Sequence, residues 1–249
     1  MRGLFIQILG LLIGSFSVSG CAYNPLIDRE QLMLVSDSQM VDLAAESWDE
    51  VQTTMPVSKD QFLNRRALSI ANRILRANGE DPDEWDIRVF EDTALNAFAL
   101  PGGKIGVTSE MMGFCQTNDQ LAVVIAHEIA HVKLRHASER LSQDIAMRGA
   151  IDAAFPDQSR MRSVFGMGAT LGVLLPYSRQ HELEADRLGL RYLVKADYSA
   201  EAAITLWTRM SEVASARATP EWLSTHPTDQ RRLDSLRTEI EILEQEQAI

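Results

Sequence analysis

The sequence predicts an α+β, mainly helical fold in which a small β-sheet lies beside one long apolar helix. Three observations predict it. Apolar residues recur at helical intervals along most of the 249 residues. The pattern turns to alternation only between residues 86 and 108. Within that stretch Pro101-Gly102-Gly103 separates two short apolar runs, the signature of a β-hairpin. A composition of 45% hydrophobic and 24% charged residues supplies enough apolar surface for a single core. The net charge is -11 and no basic stripe is present, which argues against nucleic acid as a partner.

The elements follow in chain order. Residues 1–20 read as a secretory signal: Arg2, an apolar run from Leu4 to Ile13, then small residues to Gly20. Val18-Ser19-Gly20-Cys21 resembles a bacterial lipobox. That resemblance implies cleavage before Cys21, lipidation of its sulfur and a lipidated tether over 21–27. Ala22 in place of aspartate implies a lipid-anchored position at the periplasmic face of the outer membrane. The other cysteine, Cys115, reads as a buried thiol. From Asp28 to Met55, Leu32, Val35, Met40, Leu43, Ala44 and Val51 recur helically, with a break at Ser36-Asp37-Ser38 and a stop at Pro56. Residues 28–57 thus form an N-terminal helical extension.

A second helix runs from Ser58, as N-cap, to Asn78, with Gly79 as its stop. Residues 86–91 alternate as a strand, and 96–100 with 104–108 form the hairpin. Thr117-x-x-Gln120 is a capping box ahead of the apolar run that starts at Leu121. Further helices cover 137–152, 178–196, 199–217 and 227–247. Residues 164–175 are uncharged and mostly apolar, too short to span a bilayer, and read as a glycine-notched core helix.

Within the capped helix lies His127-Glu128-Ile129-Ala130-His131. Residues four apart share a helix face, so two imidazoles at this spacing can grip one metal ion. Glu128 sits beside them to handle a proton of water. A catalytic zinc takes three protein ligands. The third belongs in Ser178-Arg-Gln-His-Glu-Leu-Glu-Ala-Asp186, where Glu182 and Asp186 share a face and Glu184 points elsewhere. By itself that segment reads first as a solvated acidic face.

His127-Glu128-x-x-His131, then Ser178-Arg179-x-x-Glu182-x-x-Ala185-Asp186, then Thr225-His226-Pro227 with Arg232-Leu233, resemble zinc metallopeptidases that include the HtpX-like heat-shock proteases and the CAAX prenyl proteases. The segment Asn96–Thr108 is similar to the sheet segment of that group. The periplasmic lipoprotein members match best in length and layout. The resemblance covers roughly residues 60–235. It implies a zincin-like core packed beside the hairpin, in a single metallopeptidase domain over 28–249. It implies one Zn²⁺ per chain on His127, His131 and Glu182, with Glu128 as general base. Asp186 would orient a ligand histidine. His226 would stabilise the oxyanion or close the site as a temporary ligand. Arg179 and Arg232 would hold the site through ion pairs.

The hairpin strand at Asn96, Ala97, Phe98 and Ala99 is expected to pair with an extended substrate backbone. His136 and His181 fall off the helical register of the site and read as surface or supporting residues. The expected activity is hydrolysis of unfolded or misassembled envelope proteins by a zinc endopeptidase. The alternative is a latent protease that acts mainly as a periplasmic chaperone.

Overall fold

A three-stranded sheet separates two apolar layers in the computed structural model, which describes residues 20–154, 177–216, 220–227 and 229–247. Its strands are β3 (Asp86–Phe90), β4 (Ala97–Leu100) and β5 (Lys104–Thr108), in the order β3-β5-β4. β5 runs parallel to β3 and antiparallel to β4. The expected hairpin is present, with Leu100 opposite Lys104 and glycines at positive φ in its turn.

Alternation along the strands sorts side chains between the layers. Val89, Ala97, Ala99, Ile105 and Val107 join the larger core, with α2 (Gln61–Ala77) and α4 (Asn118–Lys133). Phe90, Phe98 and Leu100 face the other way, onto Ala44, Trp48 and Val51 of α1 (Asp37–Thr54). Phe98 lies against Gly106 of β5. A Cβ there would fall 2.3 Å from its ring, so only glycine fits beneath it.

The N-terminal region departs from the expectation. Residues 21–27 are not a free tether: β1 (Cys21–Asn24) pairs antiparallel with β2 (Arg29–Leu32), and Asp28 turns at φ 50°. The helix does not begin at Asp28. Ser36 caps α1 reciprocally with Gln39, so the apparent break was the true start. Leu32 and Val35 matched a helical period by coincidence. α1 is also no extension, since it covers one face of the sheet.

α2 starts two residues later than expected, because Asp60 rather than Ser58 accepts from the first helical amides. Ser58 bonds Glu91 instead. Two short helices were not read from the sequence, α3 (Ser109–Phe114) and α8 (Glu221–Thr225). The remaining helices are α5 (His136–Ala154), α6 (Arg179–Lys195), α7 (Glu201–Ala216) and α9 (Gln230–Gln247). Of the segment read as signal (1–20) all but Gly20, and the whole of the segment read as core helix (164–175), lie outside the described residues. No helix among the described residues is long and apolar enough to cross a membrane.

Candidate metal centre

α4 positions the site because it is buried on every side. Residues 120–131 are all buried. Thr117 caps it through Gln120 N, while the Gln120 side chain accepts from Gln116 N, so the capping box is only half formed. Arg66 secures the approach to α4 by donating to the carbonyls of Met112, Cys115 and Thr117. Cys115 itself is buried, and that burial pushes its thiol up to about 12.

α6 lies against α4 through its own small-residue face. Gly189 occurs one turn beyond Asp186, and a Cβ there would sit 3.3 Å from the backbone of Ala126 and His127. That close approach carries Glu182 and Asp186, four apart on one face, onto the histidines. Four donors converge. His127 Nε2 lies 3.0 Å from His131 Nε2, 3.3 Å from His226 Nδ1 and 3.4 Å from Glu182 Oε2. Glu182 Oε1 lies 3.0 Å from His226 Nδ1 and 3.5 Å from His131 Nε2. All four residues are buried, and one ligand atom from each falls within 4.8 Å of the others.

These residues fit a zinc ion on two grounds. Ligand bonds of about 2.0–2.1 Å in a tetrahedron give edges of about 3.3 Å, close to the separations observed. One carboxylate oxygen in the same pocket, Glu128 Oε2, is buried without a hydrogen-bond partner, although Glu128 Oε1 accepts from Trp222 Nε1 at 3.2 Å. A buried carboxylate oxygen without a partner in the chain is placed to take one from outside it, such as a water held at an ion.

Support for the donors is charged. Asp186 Oδ1 stands 3.0 Å from His127 Nδ1, which fixes that ring with its Nε2 lone pair inward. Arg232 grips Asp186 at 2.6 and 2.8 Å, reaches Glu182 at 2.5 Å and stacks over Trp207 at 3.7 Å. Burial would raise the carboxyls of Glu182 and Asp186. Arg232 and the histidines outweigh it, holding Glu182 well below the ordinary carboxylate range and Asp186 below its own. Burial would lower His127, but hydrogen bonds to Asp186 and Glu182 lift it to about 9. His131, with burial and the neighbouring His127 against it, is driven well below 6.5.

Of the residues singled out from the sequence, His127, Glu128, His131, Glu182, Asp186, His226 and Arg232 come together. His226 enters the donor set itself through Nδ1, while its Nε2 is 3.5 Å from Glu128 Oε1. Arg179 does not join them. Its side chain is 75% exposed and faces Asp229 at 3.5 Å, because it occupies the solvent side of the first turn of α6. Asn96 is buried, its amide bonded to Glu221. Ala97 and Ala99 face the larger core, and the Phe98 ring is committed to the α1 layer.

His136 is no surface residue: it is fully buried, its Nδ1 2.9 Å from His131 Nδ1. Of the two roles expected for it, surface or supporting, it takes the second and stays out of the donor set: α4 ends at Lys133 and Arg135 turns at φ 58°, which carries His136 behind His131. Burial holds His136 down at about 4. His181 is also buried, facing Glu139 at 3.2 Å. Trp222, Trp207 and Tyr177 were missed altogether. Tyr177 stacks on His131 with centroids 4.0 Å apart, and Trp222 stacks on Trp207 at 4.7 Å. Tyr177 and Trp222 carry no periodic signal, and Trp207 shares the apolar face of α7 with Ala203, Leu206 and Met210, so from the sequence it reads only as core.

Comparison with known proteins agrees with this geometry. Residues 59–240 match peptidase family M48. The mitochondrial metalloendopeptidase OMA1 of Schizosaccharomyces pombe is 32% identical over 92% of this chain and 70% of its own length. Human OMA1 is 29% identical over 94% of this chain and 48% of its own. The beta-barrel assembly-enhancing protease of Escherichia coli is 27% identical over 76% of this chain and 41% of its own.

The expected outer-membrane, lipid-anchored location is overturned here, since the relatives matched over more than nine-tenths of the chain are named as mitochondrial enzymes. The narrower affiliation with HtpX-like and CAAX proteases gives way to the family as a whole. Motif order, convergent donors and these matches lead to one conclusion: the chain belongs to peptidase family M48 and is a metalloendopeptidase.

Proposed function

We propose that this chain is a zinc-dependent endopeptidase that removes unfolded or misassembled proteins of a cell envelope, held latent by His226. The observation that carries the reading is the four-donor cluster beside the unpartnered oxygen of Glu128. His127, His131 and Glu182 would hold the ion, and His226 closes the set. A relative named for enhancing β-barrel assembly supports a quality-control role.

When bound, zinc supplies Lewis acidity toward a carbonyl and acidifies water. The chain's own groups do the rest. Glu128, buried and steadied by Trp222, takes the proton of the attacking water and returns it to the leaving amine. β4 is the edge of its sheet and offers main-chain groups to an extended peptide. Beside its end a cavity of about 170 Å³ opens between Met40, Val41, Ala99, Leu100, His131 and Tyr177. A dry cavity of about 150 Å³ admits benzene, so this one suits a large apolar side chain of the substrate. Unfolded chains present far more of such side chains than folded ones do.

The test is elemental analysis together with cleavage of reduced, unfolded casein. Wild type is expected to carry one zinc, and Glu128→Gln to keep that zinc while losing about 10²–10⁴-fold in rate. His226→Ala is expected to cleave faster than wild type. A wild type without zinc, or a Glu128→Gln variant that cleaves normally, overturns the reading.

A further inference from the structure

Behind the donor cluster lies a second, partly buried polar layer, and it is tied to the N-terminal hairpin. Arg29 of β2 forks onto two carboxylates. Its Nε and NH2 meet Glu184 at 2.6 and 2.8 Å, and its NH1 and NH2 meet Glu139 at 2.7 and 2.8 Å. These are bidentate, charge-assisted contacts that reach across 155 and 110 residues of sequence. Glu184 Oε2 is 3.1 Å from His136 Nε2, and His136 Nδ1 is 2.9 Å from His131 Nδ1. Arg29 lies outside residues 59–240, the segment matched by the family.

We propose that Arg29 is a positioning residue for the metal centre, acting through Glu184 and His136 to fix the tautomer of His131. The inference rests on His131 being a ligand, as proposed above. To offer its Nε2 lone pair, His131 must carry its proton on Nδ1 and donate it to His136 Nδ1. His136 must then carry its proton on Nε2, and Glu184 is the acceptor that receives it. Each link permits only one arrangement of protons. Glu184 performs this role only while Arg29 fixes the orientation of its carboxylate.

Without Glu184 in place, His136 is free to adopt the other tautomer. Its Nδ1 proton then points at His131 Nδ1 and drives the His131 proton to Nε2, into the position the ion needs. The hairpin therefore sets the affinity of a site it does not touch. Gln31, its neighbour on β2, serves as the internal control. Gln31 Nε2 bonds Glu139 and the carbonyl of Leu134, yet no link of the relay Glu184–His136–His131 depends on it.

The experiment is zinc competition against a chelator on the full chain, with circular dichroism confirming the fold at the assay temperature. Arg29→Gln is expected to weaken zinc binding about 10–100-fold, the range typical when an outer partner of a ligand histidine is lost. Excess zinc restores cleavage, and KM for casein is unchanged. Gln31→Leu stays within about threefold of wild type, and Arg29→Lys recovers part of the loss. In a His136→Gln background Arg29→Gln adds little, because the pathway is already cut.

Unchanged zinc affinity in a folded Arg29→Gln protein, or full additivity with His136→Gln, overturns the proposal. If Arg29→Gln fails to fold, Glu184→Gln, which keeps the side-chain shape, decides in the same assay. Failure of the zinc reading itself shows differently, since wild type would then bind none.

Discussion

Two buried polar networks meet at His131, and they are built on opposite principles. In the outer network every carboxylate oxygen is satisfied by protein. Glu139 accepts from Arg29, Gln31 and Gln143, and Glu184 from Arg29 and Gln180. In the inner one, imidazole nitrogens and a carboxylate face each other at 3.0–3.5 Å and Glu128 Oε2 has no partner. Each pairs an arginine with carboxylates and imidazoles. The balance of donors and acceptors separates them: a closed balance marks a strut, and an excess of lone pairs around one point marks a site for a cation.

Neutral amides test that contrast most strongly. Glu182→Gln is expected to reduce bound zinc from one per chain to near none and to abolish casein cleavage, read by elemental analysis and by the assay. Glu139→Gln is expected to lower stability by about 1–3 kcal/mol in urea melts, since it weakens hydrogen bonds to charged groups. Its zinc affinity should stay within a few-fold of wild type. Equal zinc loss in both variants would erase the distinction.

A smaller effect is expected at the contact between α4 and α6. Gly189→Ala places a Cβ 3.3 Å from the backbone of α4, which cannot retreat as a flexible side chain would. The cost is about 1 kcal/mol, near the low end for overpacking, seen as a Tm lower by about 2–4 °C.

The response to acid tests the supporting network by itself. His136 sits at about 4 in the fold against 6.5 for an open chain. The unfolded chain takes up the proton first as the pH falls, so stability present above about 6.5 is lost on descending toward 4. Burial would raise Glu184, but Arg29 and His136 bring it down to about 2 against 4.5. Its contribution is present above 4.5 and lost between 4.5 and 2. Thermal melts from pH 7 to 3 should show the first loss near 6. His136→Gln should remove that part and leave the later one.

Much of this was legible in the sequence, for physical reasons. Helix periodicity identified α2, α4, α6, α7 and α9, because each buries one face or all of itself. The hairpin was marked by its glycines. The i, i+4 spacings of His127 with His131 and of Glu182 with Asp186 carried the heart of the site. What escaped was set by tertiary packing. Residues 21–32 are paired strands whose polar side chains Arg29 and Gln31 point inward, a pattern no alternation rule selects. His136 escaped because one left-handed residue, Arg135, redirected the chain. Trp222 escaped because a short helix of 5 residues, Glu221–Thr225, has no period to read.

Trp222 and Trp207 lie face to face, 10° from parallel, with the His127 ring 5.9 and 6.2 Å away. Trp222 belongs to the same short helix segment that ends at His226. On the latent role proposed for His226, a movement of this segment that withdraws the imidazole would carry Trp222 off Trp207. The stacked indoles would then report that movement as a change in ultraviolet emission, without an added dye.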